Sequence, residues 1–154
     1  MTAIPTPLFL AYPRAFVRGY ERLEYVDLAF FVESLSWRRD PLKGLLDIAS
    51  DPWTVVEREA GDCVDFARLA AAWLWTSTDR PIAIYTVWTL RWPPGHAIVY
   101  DGERIYSNSP REPEAIVEED IASYLERTGR GVAIRRRVRG TAGPAVVRAS
   151  RRQQ

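Results

Sequence analysis

The feature that most constrains this chain is the short stretch Gly61–Ala67, which contains its only cysteine, Cys63. A glycine and an aspartate precede the thiol, and a run of good helix formers follows it as far as Leu74. This pattern predicts a loop that places the thiol in the first turn of a buried helix. There the unpaired amide N–H groups and the helix dipole favour the thiolate over the thiol. The alternative interpretation is a cysteine that serves only as a small buried apolar side chain.

The residues around Cys63 also predict how that helix is built. Apolar side chains recur at helical spacing from Phe66 to Leu74, which predicts a buried stripe along a helix over residues 63–75. Asp62 is a suitable N-cap, and Asp65, three residues later, could complete a capping box. Capping alone would account for both aspartates, although both are also candidates for supporting roles beside the thiol.

Composition limits the class of protein. The chain has 154 residues, 47% of them apolar, which is enough for one domain with a substantial core. One cysteine and one histidine cannot build a Cys/His zinc site or an internal disulfide, and we expect neither metal nor cofactor. No run approaches about 18 uninterrupted apolar residues, and the start lacks the basic region of a signal peptide. We therefore expect a reducing, cytoplasmic location without a membrane partner, or a place in a larger assembly such as a virion.

Charge is distributed unevenly, although the formal net charge is only +1. No acidic residue follows Glu126, whereas the same segment contains many arginines, namely Arg127, Arg130, Arg135, Arg136, Arg137, Arg139, Arg148, Arg151 and Arg152. Such an end could hold an acidic partner or dock into an assembly. Aromatic residues do not interleave these arginines, as a base-stacking surface requires, so the pattern disfavours nucleic acid as the partner.

The order of predicted elements favours an α+β fold. Residues 1–13 are predicted to be extended, and helices are predicted over 18–37, 42–48 and 52–59, the last two introduced by Asp40-Pro41 and Asp51-Pro52. After the cysteine helix, strands are predicted over 82–90, 96–100 and 103–107, then a helix over 116–127 ended by Gly129, and a strand over 131–139. Helices followed by strands predict a mostly antiparallel sheet on which the cysteine helix packs. We assign residues 1–140 to a single domain and residues 141–154 to a basic, loosely ordered tail.

The only histidine, His96, supplies a second chemical group. A thiol nucleophile needs a base within hydrogen-bond reach, and the base needs a third group that fixes its tautomer. Asp101-Gly102 predicts a hairpin whose second strand ends at Asn108, directly opposite His96 if the loop has three residues or a bulge. A two-residue turn would instead pair His96 with Ser107. Asp101 would lie at the far tip of the hairpin, about 15 Å away, so we predict Asn108 as the third member.

These motifs resemble those of the transglutaminase-like superfamily, in particular its bacterial transglutaminase-like cysteine proteinases. The stretch reads Gly61-Asp62-Cys63-Val64-Asp65-Phe66-Ala67, and the family motif reads approximately Gly-Asp-Cys-Glu-Asp-Tyr-Ala. Asp51-Pro52-Trp53 precedes it, and Gly95–Val99 is similar to the family's histidine strand. The next strand should end in the third catalytic residue, which the resemblance also places at Asn108. The resemblance covers approximately residues 50 to 110.

The resemblance implies a papain-like core and acyl transfer through a thioester. The reaction would be hydrolysis of a bond in a peptide, protein or amide substrate, or transfer of the acyl group to an amine. Cys63 would be the nucleophile, His96 the general base and Asn108 the group that orients it, although the family usually has aspartate at this third position. The same fold retained as a non-catalytic scaffold, docked through the arginine-rich end, is the alternative to an enzyme.

The resemblance also suggests residues that would support the reaction. The backbone N–H of Cys63 is the natural donor to an oxyanion, and Trp53 could contribute its indole N–H. Asp62 and Asp65 would lie beside the thiol, where some relatives bind calcium through acidic residues. Val64 stands where the family has an acidic residue, which weakens a calcium site here. Packing is the alternative role of Trp53, and capping is the alternative role of the two aspartates.

Overall fold

The structure is a computed structural model that describes residues 3–38, 48–88, 95–109, 112 and 114–150. Most of its helices precede the main sheet: α1 (Thr6–Ala11), α2 (Pro13–Val17), the 3₁₀ helix η1 (Glu21–Tyr25), α3 (Leu28–Ser34), α4 (Pro52–Arg58) and α5 (Cys63–Ser77). Two short strand pairs lie among them: β1 (Ile4–Pro5) with β3 (Ile48–Ala49), antiparallel, and β2 (Ser36–Trp37) with β4 (Ala60–Gly61), parallel.

The main sheet is built by the C-terminal half of the chain. Within the described residues it has six strands: β5 (Ile82–Trp88), β6 (His96–Tyr100), β7 (Arg104–Tyr106), β8 (Ile116–Glu118), β9 (Val132–Arg139) and β10 (Val146–Arg148). Their order is β10-β9-β5-β6-β7-β8, and every neighbouring pair is antiparallel. A further helix, α6 (Ile121–Thr128), connects β8 to β9. The predicted α+β fold class with a mostly antiparallel sheet is therefore confirmed.

Side chains alternate between the two faces of the sheet along each strand, and a different helix packs on each face. Ile84, Val99 and Tyr106 belong to one core together with the apolar residues of α5. Tyr85 and Ile98 belong to a second core together with the apolar residues of α6. The cysteine helix therefore packs on one face of the antiparallel sheet, as predicted.

Local signals in the sequence predict several helix ends correctly. Asp51 caps α4 by accepting a hydrogen bond from the backbone N–H of Trp53 (3.0 Å), and Pro52 is the first helical residue. The central helix begins at Cys63. Gly129 ends α6 in the left-handed conformation, with φ of 68°. Each of these signals acts within one helical turn, which is why the sequence alone shows them.

The N-terminal predictions were wrong, because the chain breaks its helical pattern more often than expected. Residues 18–37 do not form one helix but contain η1 and α3, and Asp27 begins α3 by capping the N–H of Phe30 (3.1 Å). Gly19, with φ of 91°, turns the chain between α2 and η1. Residues 1–13, predicted to be extended, contain α1 and the start of α2. Pro13 stands in the first turn of α2, where a missing N–H costs no hydrogen bond.

Three further predictions differ from the structure or lie outside it. Residues 116–118, predicted to be helical, form β8, and α6 begins only after Asp120 caps the N–H of Ser123 (2.8 Å). Residues 42–47 of one predicted helix and residues 89–90 of one predicted strand lie outside the described residues. The segment 141–150, predicted as a loosely ordered tail, contains β10, which pairs with β9. The main sheet thus continues past residue 140.

Among the described residues, none of the helices combines the length and apolar character that a membrane span requires.

Buried phenols make the fold sensitive to alkaline pH. Burial raises the pKa of Tyr20 and of Tyr85 from 10.0 to about 12. The folded state therefore favours the neutral phenols, which contribute to the free energy of unfolding. This contribution is fully present below about pH 10 and is lost as the pH rises through about 12. We expect the free energy of unfolding in urea to be lower at about pH 11 than at about pH 9, with a smaller decrease in Tyr85→Phe. An equal decrease in that variant would exclude Tyr85 as a cause.

Candidate functional site

The start of α5 holds the thiol in a fully capped first turn. Cys63 is the first helical residue and is 9% exposed. Asp62 accepts hydrogen bonds from the N–H groups of Val64 (2.8 Å) and Asp65 (3.0 Å). The Asp65 carboxylate accepts one in return from the Asp62 N–H (3.2 Å). The predicted capping box is therefore confirmed, and it places Cys63 at the positive end of the helix dipole.

Two neighbouring segments fix this helix start from outside. Gly61 pairs with Trp37 of β2, and its carbonyl accepts a hydrogen bond from the N–H of Arg38 (3.0 Å). A Cβ at Gly61 would lie 2.9 Å from the Cβ of Asp65, so the close approach of the two backbones requires glycine. The N–H of Ser50 donates to the Asp65 carboxylate (2.6 Å). Asp65 therefore connects the helix start to the strand that precedes α4.

Asn108 connects the end of β7 to the same helix start. Its Nδ2 donates a hydrogen bond to the backbone carbonyl of Asp62 (3.1 Å), the residue immediately before Cys63. Its Oδ1 is buried and has no hydrogen-bond partner among the described residues. The structure thus brings Asn108 to the immediate neighbourhood of the thiol, with its amide group engaged by the backbone.

His96 is held by a different residue, Ser107. Its Nε2 lies 2.8 Å from the Ser107 Oγ. The reason is the hairpin register. Tyr100 pairs with Ile105, so the loop between the paired ends has four residues rather than the predicted two or three. With that register Ser107 follows Ile105 on the same face of the sheet as His96, whereas Asn108 points to the α5 face.

Ser107 in turn leads to a buried ion pair beneath α6. It interacts with the hydroxyl of Tyr124, which donates to the Glu112 carboxylate (2.8 Å). Glu112 forms an ion pair with Arg130, whose side chain is largely shielded from solvent. Burial raises the pKa of the Tyr124 phenol, so that it stays a neutral donor. The imidazole of His96 is thereby connected to a fixed polar chain rather than to a mobile side chain.

The other two candidates have structural contacts. Trp53 lies on α4 and packs against the core on the α5 side of the sheet. Asp101, the alternative orienting residue, is buried at the tip of the hairpin, where it accepts hydrogen bonds from the Tyr106 hydroxyl (3.0 Å) and the Arg104 N–H (2.7 Å). Those contacts engage the Asp101 carboxylate in the hairpin turn.

Arg68, a fully buried charge beside the site, was not predicted from the sequence. Its side chain lies on α5, is 0% exposed and donates to the carbonyls of Ala49 (3.0 Å) and Ser50 (3.1 Å) and to the hydroxyl of Tyr20 (3.2 Å). The Tyr20 hydroxyl then donates to Asp51 (2.7 Å). The only signal in the sequence is a single charge inside an otherwise apolar stretch of helix.

A cleft of about 490 Å³ opens beside the helix start, on the side of Gly61, Asp65 and Ser50. Cys63 is not among the described residues that line it. Within the same described residues, no group of three His, Cys, Asp or Glu side chains could hold a metal ion.

Comparisons with known proteins provide little information beyond this geometry. No protein-family model matches the sequence, and no curated protein matches it. A solved structure, a putative cysteine protease from Cytophaga hutchinsonii, is similar with a TM-score of 0.40 and 14% sequence identity. The match covers 92% of this chain and 46% of that chain, so this chain spans about half the length of that protein. At such a TM-score the likeness gives no functional information, and function has to be inferred from the site.

Removing the N-cap of α5 should destabilise the protein measurably. Asp62→Ala removes the acceptor for two buried backbone N–H groups. We therefore expect the free energy of unfolding to fall by about 2 kcal/mol, near the upper end of the losses seen when an N-cap is removed. Asp120→Ala, which removes an exposed cap from α6, is the matched control and should cost about 1 kcal/mol or less. Urea unfolding of both variants measures the difference. Equal losses in the two variants would show that burial adds nothing to the cap at Asp62.

Proposed function

We propose that the protein is a cysteine hydrolase that cleaves a peptide or amide bond, with Cys63 as nucleophile and His96 as general base and acid. The observation that supports this proposal is that two adjacent residues contact the helix start and the imidazole, respectively. Asn108 bonds to the residue before the thiol, and its neighbour Ser107, the residue directly after β7, holds the imidazole of His96. These two contacts, made by adjacent residues, are the basis on which this proposal pairs the Cys63 thiol with the His96 imidazole.

The proposed reaction has two halves. In the first, the Cys63 thiol gives its proton to His96, and the sulfur attacks the carbonyl carbon of the substrate. The carbon–nitrogen bond then breaks as His96 donates the proton to the leaving amine, which leaves a thioester. In the second half, His96 takes a proton from water, and the hydroxide attacks the thioester carbon. The carbon–sulfur bond then breaks, the carboxylic acid is released, and His96 returns the proton to the Cys63 sulfur. The Cys63 backbone N–H at the positive end of α5 would stabilise the oxyanion in both halves.

In this proposal Ser107 is the residue that positions the imidazole. Its hydroxyl is paired with Nε2, so Nδ1 is the ring nitrogen that would exchange a proton with the thiol. Asn108 would position the nucleophile, since it bonds to the backbone that leads into Cys63. Asn108 remains the second candidate for orienting His96, because its buried Oδ1 has no donor among the described residues.

A non-catalytic scaffold is the second candidate function, and the strand direction of His96 favours it. His96 pairs with Val87, whose side chain belongs to the core beneath α6, while Cys63 belongs to the core on the opposite face. His96 is the first residue of β6, so its ring would have to reach Cys63 around the end of the sheet. Reactivity of the thiol therefore decides between the two functions.

The test is the rate at which iodoacetamide alkylates the single cysteine as a function of pH. An activated thiol should react at about pH 6 much faster than a free thiol, whose pKa is about 8.5. His96→Ala should remove this advantage, and Ser107→Ala should reduce it more than Asn108→Ala does. Wild-type protein that reacts no faster than a free thiol would contradict the enzyme and support the scaffold. A larger effect of Asn108→Ala would assign the orienting role to Asn108.

A further inference from the structure

The described residues contain a second concave surface, remote from Cys63, which we name the arginine cleft. It has a volume of about 820 Å³, lies between α2 and β9, and includes Tyr12, Arg14, Arg18, Trp75, Arg137 and Arg139. Trp75 stands near the C-terminal end of α5, about 18 Å along the helix axis from Cys63 at 1.5 Å per residue. The cleft is therefore a separate surface and not an extension of the proposed active site.

One arginine of the cleft has a structural role. The Arg139 guanidinium donates hydrogen bonds to the backbone carbonyls of Trp75 (3.0 Å) and Arg80 (2.8 Å), where it closes the end of α5 and complements the helix dipole. It also lies over the Trp75 ring, 5.1 Å from the ring centroid. The Arg14 guanidinium lies over the same ring at 5.7 Å. Two cations are thus ordered around one indole.

The remaining positive charge of the cleft is not neutralised. Arg14, Arg18 and Arg137 are exposed, and within the described part of the chain none of them forms an ion pair with a carboxylate. No acidic residue lines the cleft among the residues described. Converging guanidinium groups without counter-charge repel one another and attract an anionic partner.

We infer that the arginine cleft binds an acidic peptide segment of a partner protein. Planar guanidinium groups match carboxylates in two-point hydrogen bonds. Small exposed apolar residues near the arginines, Ala11 and Ala15, offer contacts to aliphatic side-chain carbons. Single-stranded nucleic acid fits less well, because the Trp75 ring on which a base would stack is already covered by guanidinium groups.

Fluorescence anisotropy with a labelled peptide of four glutamates around a leucine tests this inference. Arg18→Gln/Arg137→Gln should weaken binding at least about tenfold, because it removes two cations that make no other described contact. The matched control Arg22→Gln/Arg148→Gln removes the same charge from exposed positions outside the cleft and should change the affinity by less than about twofold. A peptide with glutamine in place of glutamate should not bind.

Several outcomes would overturn the inference. The wild-type protein could fail to bind the acidic peptide, or the two double variants could weaken binding equally. Oligothymidylate or inorganic phosphate could also bind more tightly than the peptide. The inference does not depend on hydrolysis by Cys63. Binding should therefore be the same in Cys63→Ala, which separates its failure from a failure of the proposed function.

Discussion

Cys63→Ala should abolish hydrolysis, lowering kcat/KM at least about a thousandfold, equivalent to about 4 kcal/mol of transition-state stabilisation. The reason is chemical, since alanine removes the atom that would form the thioester and this chain has no second cysteine. Hydrolysis is measured with a fluorogenic peptide library, because the geometry does not select one peptide sequence.

The control for this variant lies on the same helix. Ser77 is the exposed last residue of α5, and within the described residues its hydroxyl bonds to the helix backbone, at the carbonyl of Trp73 (2.7 Å). Ser77→Ala should keep its activity within about twofold, and both variants should keep their unfolding free energies within about 1 kcal/mol of wild type. Hydrolysis that persists in Cys63→Ala would contradict the assignment of the nucleophile.

Arg68→Met should destabilise the fold by about 3–5 kcal/mol, the largest stability effect expected at any described position. Methionine fills most of the volume but leaves the carbonyls of Ala49 and Ser50 and the hydroxyl of Tyr20 without their buried donor. Urea unfolding measures the loss.

Two controls separate the buried network from the charge itself. Arg68→Lys keeps the charge but cannot reproduce the planar fork, so its loss should be intermediate. Arg22→Met, at an exposed position, should change the free energy of unfolding by less than about 0.5 kcal/mol. A loss below about 1 kcal/mol in Arg68→Met would mean that the network is not essential to the fold.

The same network has a consequence for the thiol. Arg68 binds the carbonyl of Ser50, and the N–H of Ser50 binds the Asp65 carboxylate that closes the capping box of α5. Loosening Arg68 should therefore loosen the first turn that holds Cys63. Arg68 belongs to no catalytic motif, but through these bonds it would help to hold Cys63 in position in the proposed active site.

Features that depend only on neighbouring residues could be predicted from the amino-acid sequence. The capping box of Asp62 and Asp65, the start of α4 at Pro52 and the end of α6 at Gly129 each involve groups within one helical turn. The change from helical to strand periodicity after α5 determined the α+β class for the same reason. The prediction of one long helix over residues 18–37 was wrong. The spacing of its apolar residues did not show that Asp27 caps a separate helix, α3.

The contacts between distant residues, in contrast, follow from how the strands and helices pack. The number of residues between the paired ends of the hairpin sets the register, and a shift of one residue moves each side chain to the other face of the sheet. This is why Ser107, rather than Asn108, holds His96, and why Asn108 lies against the carbonyl of Asp62. The buried position of Arg68 likewise depends on carbonyls and a hydroxyl that lie far from it in sequence. Cys63 was evident from its neighbours in the chain, whereas its surroundings follow from long-range packing that no local pattern encodes.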